Sequence, residues 1–270
     1  MIVFNALGQL GRLGNQLFQV AATLSHAKRV EAEAVFNPWS YQENFERKIT
    51  CRLDVGAMII DGVQHEMVHQ TKIHYVPIPS SQNLILNGWF QSWKYIDEEL
   101  VKDYFRPSSA LQTKINEAMQ KLSYQGDIAL HVRRGDYLNP FTPGYYKILD
   151  IDYYKKSLQF MISMLDITEN ITIFSDDIPW CRQEFSNMEI PVNFQYSEGN
   201  SDIVDLYLMA SHKHHIISNS TYPWWGAWLR NVMNDSTDKQ IVIAPKQYFG
   251  PPGEAEQTIK DLYCPGWYVI

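Results

Sequence analysis

Three groups of polar side chains have types and spacings suited to binding an anionic ligand. The first is HVRRGDY (131–137), in which His131, Arg133 and Arg134 precede Asp136. A guanidinium group can donate two hydrogen bonds to the oxygens of one phosphate, so this arginine pair could hold a diphosphate while Asp136 holds one arginine in place. Taken alone, an Arg–Asp pair more often closes a surface turn. The other two groups therefore decide how this one is interpreted.

A pair of adjacent carboxylates forms the second group. Asp176 and Asp177 follow the apolar run ITIF and precede Pro179, a residue favoured in the first turn of a helix. Two neighbouring carboxylates could bind a metal, accept hydrogen bonds from the N–H groups of a guanine base, or cap the following helix. The pattern alone weighs capping and ligand binding equally, so both interpretations stay open.

The third group is the polar turn formed by Asn219, Ser220 and Thr221 in SNSTYPWWGAWL. It follows the apolar run HIIS, and we expect Pro223 to start a helix. The N-terminus of a helix presents unpaired N–H groups and a partial positive charge, so this turn is a candidate phosphate site. A helix-capping role for Ser220 or Thr221 is compatible with phosphate binding.

A weaker signal is GRLGNQ (11–16) near the start of the chain. Gly11 and Gly14 would let the backbone approach a ligand, and Asn15 and Gln16 would lie at the start of a helix, facing a cleft. A GxxG pattern alone more often marks a strand-to-helix turn. The segment is not a Walker loop, since no lysine follows the second glycine, and it lacks the GxGxxG spacing of a dinucleotide site.

A parallel α/β sheet would bring the three groups together. From residue 127 onward, short β-rich runs alternate with helix-length segments, which is typical of βαβ units. Ligands of such sheets bind at the carboxyl ends of the strands, where HVRRGDY, FSDD and SNST all lie. The predicted strands are 128–132, 171–175, 192–196, 215–218 and 241–244.

The N-terminal part of the chain has a less regular pattern. A strand within 1–7 precedes a helix over 14–29, and further helices are expected near 93–104 and over 108–122. Residues 37–83 mix proline, aromatic and short apolar pieces. This mixture indicates an irregular region with a few short strands.

Composition excludes some classes of partner. The chain has 270 residues and a formal net charge of −7, with no long run of lysine and arginine. Duplex nucleic acid requires a basic face, so we expect no nucleic-acid partner. Three widely spaced cysteines form no CxxC pair, which favours a reducing compartment. With no signal peptide and no run of about 20 apolar residues in evidence, we expect a cytoplasmic protein.

Taken together, GRLGNQLFQVAA, HVRRGDY, FSDD and DLYLMASHKHHIISNSTYPWWGAWL resemble glycosyltransferase family 11, the inverting, GDP-fucose-dependent α-1,2-fucosyltransferases. HxRRxD is shared with α-1,6- and protein O-fucosyltransferases, whereas SNSTYPWWGAWL is specific to the α-1,2 group. The resemblance implies an α/β fold of GT-B type, with two Rossmann-like domains facing each other across a cleft. We expect an acceptor-side domain over 1–115 and a GDP-fucose-binding domain over 116–270, whose C-terminal tail packs back on the first.

The resemblance also implies roles for individual residues. The two arginines would contact the diphosphate, His131 and one of the FSDD aspartates the guanine, and the hydroxyls of the third group the phosphate. It assigns catalysis to Arg133, Asn15 and Asp136, and substrate binding to His131, Arg134, Asp176, Asp177, Asn219, Ser220, Thr221, Gly14, Arg12 and Asp205.

The implied reaction transfers L-fucose from GDP-fucose to the 2-hydroxyl of a terminal galactose in a glycan, with inversion. Fixed arginines and helix N–H groups can stabilise the departing diphosphate, and the sequence has no DxD motif in a strand-end loop and no His/Cys ligand cluster, so we expect no metal and no cofactor. Peripheral association with a membrane is expected if the acceptor is a glycolipid. Asp136 and Asp152 are both candidate bases, and spacing does not choose between them.

Two alternatives remain at this stage. The first is a fucosyltransferase of another linkage, acting on a core glycan position or a protein hydroxyl. The second is a non-catalytic carbohydrate-binding protein, because aromatic residues make up 13% of the chain and could stack on sugar rings. A lectin has no use for the paired arginines, so binding of GDP would separate these classes.

Overall fold

The structure is a computed structural model that describes residues 1–55, 57–123, 126–139, 144–165, 170–233 and 239–270. It divides into two compact units. The N-terminal unit comprises Met1–Gln112 and Gln257–Cys264, and the C-terminal unit comprises Thr113–Glu256 and Pro265–Ile270. Each unit has its own parallel β-sheet, as expected of an α/β protein.

A five-stranded parallel sheet runs through the described part of the N-terminal unit. Its strands are β1 (Ile2–Phe4), β2 (Ala34–Phe36), β3 (Thr50–Cys51), β6 (Glu66–Gln70) and β7 (Leu84–Gly88), in the order β3-β2-β1-β7-β6. The central strand β1 is buried along its whole length, which explains its continuous apolar sequence. A separate antiparallel hairpin is formed by β4 (Ile59–Ile60) and β5 (Val63–Gln64).

The prediction of an irregular segment with a few short strands over 37–83 is confirmed where the structure describes it; Gly56 lies outside the described residues. The prediction missed β2, and it did not indicate that β3 and β6 join the main sheet. These strands are two to five residues long. A period-2 pattern needs about four or more residues to be recognised, so their sequences carry almost no signal.

Helices α1 (Leu13–Arg29) and α3 (Ser109–Lys121) agree with the prediction to within one residue at each end. The segment predicted as one helix near 93–104 is instead a 3₁₀ turn, Trp93–Tyr95, followed by α2 (Glu98–Tyr104). The cause is Asp97, whose carboxylate accepts a hydrogen bond of 3.1 Å from the backbone N–H of Leu100 and so caps a new helix.

Six parallel strands form the sheet described in the C-terminal unit. They are β8 (Ile128–Val132), β9 (Asn170–Ser175), β10 (Asn193–Tyr196), β11 (His214–Ile216), β12 (Val242–Ala244) and β13 (Tyr268–Val269). Their order is β10-β9-β8-β11-β12-β13, the order of the Rossmann fold. The direction of winding reverses between β8 and β11, which places a topological switch point at their carboxyl ends. The sequence analysis missed β13.

Helices cover this second sheet and position the polar segments. They are α4 (Ile151–Leu165), α5 (Ile178–Ser186), α6 (Asp202–Ala210), α7 (Thr221–Trp228), α8 (Arg230–Met233) and α9 (Pro251–Glu254). An apolar face of α4, which includes Tyr154, Leu158 and Met161, is fully buried with Ile171 and Ile173 of β9 in the core. Among the described helices, none combines the length and the apolar character needed to cross a membrane.

Candidate active site

The carboxyl ends of β8 and β11 form the centre of the candidate site. His131 lies on β8 and is buried, with 4% of its surface exposed. Its Nδ1 lies 2.9 Å from the Oγ of Ser218, which follows β11, so one hydrogen bond ties the two strand ends together. Burial, together with the nearby charge of Arg133, lowers the pKa of His131 to about 3. The imidazole is therefore neutral at physiological pH.

Arg133 is held by carboxylates from two segments. Its Nη2 donates to the Oδ1 of Asp136 at 2.6 Å, and its Nη1 lies 2.8 Å from the Oδ2 of Asp176. Its Nε is buried and has no hydrogen-bond partner among the described residues. A buried N–H group without an acceptor costs folding free energy. A bound ligand with an acceptor atom could therefore accept a hydrogen bond from this Nε.

Arg134 has its own set of partners at the end of β9. Its Nε donates to the Oδ2 of Asp177 at 3.0 Å, and its backbone N–H donates to the Oδ1 of Asp176 at 2.9 Å. Its guanidinium carbon lies 4.1 Å from the centre of the Trp180 ring, a cation–π contact. The guanidinium of Arg134 is thus held by one ion pair and by one aromatic ring.

The FSDD carboxylates combine helix capping, one of the interpretations left open, with ion pairing to the arginines, which sequence reasoning did not identify. Asp177 caps α5, accepting a hydrogen bond of 3.2 Å from the backbone N–H of Trp180, and it also pairs with Arg134. Asp176 contacts both arginine residues. Helix capping, one of the interpretations left open, is therefore confirmed, and the side-chain partners of both carboxylates are arginines. Contact of either carboxylate with a ligand stays a prediction.

Gly135 allows the turn after β8 to lie against Asp176. A Cβ atom added at Gly135 would fall well inside contact distance of the Asp176 carboxylate. A larger residue at this position would displace the carboxylate that positions Arg133. The glycine of HVRRGDY therefore has a steric reason to be where it is.

The loop after β11 contains Asn219, which bonds to two other segments, and Ser220, which caps α7. The Nδ2 of Asn219 donates to the carbonyl oxygens of Lys147 and Tyr248, each at 2.7 Å, so its side chain holds two other segments together. The Oγ of Ser220 accepts a hydrogen bond of 3.4 Å from the N–H of Tyr222 and caps α7. The helix begins at Thr221, two residues before the predicted start at Pro223, because Ser220 supplies the cap.

Two tyrosines that the sequence analysis did not single out adjoin this cluster. The hydroxyl of Tyr137 donates to the carbonyl oxygen of Asn219 at 2.7 Å, and its ring lies 5.5 Å from the guanidinium carbon of Arg133. The ring of Tyr146 stacks on that of Tyr137 at 4.4 Å with an interplanar angle of 6°. Tyr137 is the last residue of HVRRGDY and could have been found from the motif. Tyr146 lies in the sequence PGYYK, which gave no such signal.

Asp205 lies on α6, near the end of β10. Its Oδ1 accepts hydrogen bonds from the Oγ of Ser197 at 2.6 Å and from the Nδ2 of Asn200 at 3.0 Å. Burial raises the pKa of this carboxyl group above its usual value. No hydrogen bond to its Oδ2 is found within the part of the chain that the structure describes. Asp205 therefore retains acceptor capacity in a partly desolvated position.

The remaining predicted residues, Arg12, Gly14 and Asn15, belong to the N-terminal unit, where α1 begins. The Oδ1 of Asn15 accepts a hydrogen bond of 2.7 Å from the Nε2 of Gln91. Gln16 was expected to face a cleft, but its side chain is buried and bonds to the carbonyl oxygen of Gly11 and to the indole of Trp39. Gln16 therefore stabilises the loop before α1.

Asp152, the alternative base, lies in the first turn of α4. It lines a cavity of about 590 Å³ in the C-terminal unit, together with Lys147, Tyr153, Lys156 and Lys246. None of the residues predicted to bind the donor lines this cavity. Asp136, by contrast, contacts Arg133 directly. The two candidate bases thus lie in different surroundings.

The arrangement is suited to holding an anion at the switch point. Each guanidinium has five N–H donors, and the carboxylates occupy only some of them. The start of α7 adds backbone N–H groups and its partial positive charge at the end of β11. In an open α/β sheet with this strand order, the switch point is where nucleotides bind.

Comparison with known proteins finds glycosyltransferases of similar sequence. The chain is 37% identical over 132 residues to the O-antigen biosynthesis glycosyltransferase WbnK of Escherichia coli, with 48% of this chain and 42% of the relative covered. It is 32% identical over 191 residues to an α-1,2-colitosyltransferase of Escherichia coli, covering 67% and 60% of the two chains. A galactoside 2-α-L-fucosyltransferase of Caenorhabditis elegans is 26% identical over 263 residues, covering 82% and 68%. The chain thus spans about half the length of the Escherichia coli relatives it matches.

Solved structures share the fold at low sequence identity. NodZ α-1,6-fucosyltransferase soaked with GDP-fucose superposes with a TM-score of 0.52 at 13% identity, over 84% of this chain and 91% of that chain. POFUT1 in complex with GDP-fucose superposes with a TM-score of 0.56 at 12% identity, over 89% and 96%. The α/β fold of GT-B type is therefore confirmed. Residues 4–270 match the family described as Glycosyl transferase family 11, and the chain belongs to that family.

Proposed function

We propose that this protein transfers L-fucose from GDP-fucose to the 2-hydroxyl of a terminal galactose in a glycan, with inversion at the sugar and without a metal ion. The observation that carries the proposal is Arg133 at the switch point, with two carboxylate partners and a buried, unpartnered Nε among the described residues. Family membership and the names of the relatives support the choice of donor and acceptor.

In this proposal the two arginines and the start of α7 bind the diphosphate of the donor. Transfer of a sugar passes through an oxocarbenium-like state in which negative charge builds on the departing diphosphate. Arg133 and Arg134 are already fixed by ion pairs, so they can stabilise that charge with little reorganisation. Ser220 and Thr221 add hydroxyl groups at the same helix terminus.

Guanine recognition is assigned to the neutral imidazole of His131 and to a carboxylate. Asp176 and Asp177 already bind the arginines, whereas Asp205 has an oxygen without a hydrogen bond among the described residues. A carboxylate oxygen can accept from the N–H groups of a guanine edge. We therefore assign the guanine contact to Asp205 and give the FSDD pair the task of positioning the arginines. For Arg12, Gly14 and Asn15 the proposal keeps the substrate-binding and catalytic roles that the family resemblance implies.

The proposed role of Asp136 is to orient Arg133. Its Oδ1 accepts a hydrogen bond from Nη2 of that arginine, and taking up a proton from the acceptor would break this ion pair. Asp152 has no contact with the arginine cluster among the described residues, so a base is not assigned to it.

The test combines binding and transfer. Calorimetry should detect GDP binding by the wild-type protein and a loss of at least tenfold in affinity for Arg133→Ala. Arg182→Ala is the matched control, since Arg182 is an exposed arginine paired with Glu198 on the same unit. Mass spectrometry with GDP-fucose and a panel of galactosides should show addition of one deoxyhexose, and NMR should place it on the 2-hydroxyl. Absence of GDP binding by the wild-type protein would rule the proposal out.

A second candidate donor carries colitose, the sugar named for one Escherichia coli relative at 32% identity. The diphosphate and guanine contacts proposed above would serve either donor, since both contacts lie outside the sugar. Competition between the two GDP-sugars in the same mass-spectrometric assay decides between them. Faster transfer of the colitosyl group would replace fucose in the proposal and leave the donor site unchanged.

A further inference from the structure

We propose that Tyr146 is a positioning residue for Arg133, acting through the ring of Tyr137, which contacts both side chains. This inference rests on the proposed function, because it concerns how the diphosphate-binding arginine is held. The contacts that carry it all come from described residues of the C-terminal unit.

The carboxylates fix the guanidinium of Arg133 only at its edge. Asp136 and Asp176 contact its two terminal nitrogens, and their side chains are 45% and 26% exposed, so water weakens both ion pairs. The guanidinium carbon lies over the ring of Tyr137, 5.5 Å from the ring centre. This cation–π contact adds a third restraint on the group, from a side chain that is not a carboxylate.

Tyr137 in turn is fixed at two points. Its hydroxyl donates to the carbonyl oxygen of Asn219 at 2.7 Å, which anchors one end of the ring. The ring of Tyr146 stacks on it at 4.4 Å and nearly parallel, and Phe249 stacks on Tyr146 at 5.6 Å. Without Tyr146, the Tyr137 ring would keep its hydroxyl anchor but lose the surface that sets its orientation.

The segment carrying Tyr146 is held in place by its backbone. The N–H of Lys147 donates to the carbonyl oxygen of Tyr248 at 3.3 Å, and the N–H of Gly250 donates to that of Tyr145 at 3.0 Å. The side chain of Asn219 adds a hydrogen bond to the carbonyl oxygen of Lys147. None of these bonds uses the side chain of Tyr146, which is 36% exposed. A substitution there should therefore leave the segment in place.

The experiment measures GDP affinity by calorimetry in a double-mutant cycle. Tyr146→Ala should weaken GDP binding about fivefold, since one aromatic stack contributes on this scale. Tyr146→Phe, which keeps the ring, should bind within twofold of wild type, and Tyr146→Leu, which keeps bulk without a planar ring, should resemble Tyr146→Ala. Ile148→Ala is the matched control, because Ile148 is 37% exposed on the same segment.

In an Arg133→Ala background, Tyr146→Ala should have no further effect on GDP affinity, because its effect passes through the arginine. Steady-state kinetics should show a lower kcat/KM for GDP-fucose with the KM for the acceptor unchanged.

Equal losses of GDP affinity from Tyr146→Ala with and without Arg133, or losses from Tyr146→Phe as large as from Tyr146→Ala, would overturn the inference. Wild-type affinity in Tyr146→Leu together with lost affinity in Arg133→Ala would overturn it and leave the proposed function standing. Unchanged GDP affinity in Arg133→Ala would instead remove the proposed function.

Discussion

Arg133 combines a neutralised charge with unused hydrogen-bonding capacity. Its terminal nitrogens contact Asp136 and Asp176, while its Nε is buried without a partner among the described residues. A single ammonium group can replace the charge but not the planar fork that serves both carboxylates and a ligand. The shape of the group therefore matters as much as its charge.

Arg133→Lys tests this distinction. We expect kcat/KM for GDP-fucose to fall about a hundredfold, since loss of one preorganised donor to a developing anion typically costs this much. The unfolding midpoint should change little because lysine keeps a positive charge beside Asp136 and Asp176. Arg182→Lys, on an arginine that is 53% exposed, should keep wild-type kinetics. Full activity in Arg133→Lys would mean that only a positive charge is required.

Sequence reasoning singled out the charged residues of the candidate site and paired Asp136 with an arginine, but it did not pair the FSDD carboxylates with the arginines. Pairing of β8 with β9 sets Val132 opposite Ser175, so the residues that follow each strand meet. That register brings Asp176 and Asp177 to the arginines, and it depends on a contact across 43 positions of the chain. No local pattern contains this information. The assignment of these aspartates to guanine therefore stays a prediction, and the structure favours a different task for them.

Gly135→Ala should weaken GDP binding about tenfold without unfolding the protein. The added methyl group would push the Asp176 carboxylate away from Arg133, whereas the turn itself stays at the surface. Calorimetry measures the affinity, and urea denaturation measures the stability. Unchanged affinity would show that Asp176 can move without disturbing the arginine. A large loss of stability would show that the glycine serves the fold.

Removal of divalent metal should leave transfer unchanged. The arginines and the start of α7 supply the positive charge that a metal ion would otherwise bring to the diphosphate. Activity in excess EDTA should therefore equal activity in buffer with added Mg²⁺. Loss of activity in EDTA, restored by Mg²⁺ or Mn²⁺, would contradict the proposed mechanism.

At the scale of elements, α6 and α7 pack so closely that one added carbon atom would clash between them. A Cβ atom added at Gly226 on α7 would lie inside contact distance of the Met209 side chain on α6. Trp224 and Trp225 on α7 are both fully buried, so the helix has little freedom to shift. The glycine is thus a packing requirement. The local sequence PWWGAWL does not indicate this contact, because α6 is separated from α7 along the chain by β11 and a loop.

Gly226→Ala should lower the free energy of unfolding by about 1 kcal/mol. Overpacking costs about 1–3 kcal/mol, and the higher helix propensity of alanine returns about 1 kcal/mol. Combining it with Met209→Ala makes room for the methyl group. In that background, Gly226→Ala should be neutral or stabilising, as measured by urea denaturation. Additive losses in the double variant would show that the two side chains do not compete for space.

At the scale of the whole molecule, the alternating pattern after residue 127 predicted the α/β fold, and the family resemblance is confirmed. The order of the strands in the sheet could not be predicted from the pattern, because many different strand orders have the same alternation of strands and helices along the chain. Buried histidines were also beyond sequence reasoning. His212 lies in a segment quoted for the family resemblance and His215 starts a predicted strand, but the sequence analysis predicted the burial of neither. Both are buried in the C-terminal unit, as is His131.

These three histidines make stability depend on pH. Burial lowers the pKa of His131 and His215 to about 3 and that of His212 to about 4, whereas an unfolded chain has a histidine pKa near 6.5. Below pH 6.5 the unfolded state therefore binds more protons, and the free energy of unfolding falls as the pH falls. Each histidine contributes a slope of up to about 1.4 kcal/mol per pH unit.

Urea denaturation between pH 7 and pH 5 should show this loss, within a window that lies above the titration of most carboxylates. Asp205 has a pKa that is raised by burial, so its carboxyl group binds a proton more readily in the folded state. This one group acts against the pH dependence that the three histidines cause. His212→Gln removes one of the titrating groups, so the slope of the unfolding free energy against pH should fall by at most about 1.4 kcal/mol per pH unit. His69→Gln is the control, because His69 is exposed in the N-terminal unit. An equal slope in both variants would show that the buried histidines do not govern the response to acid.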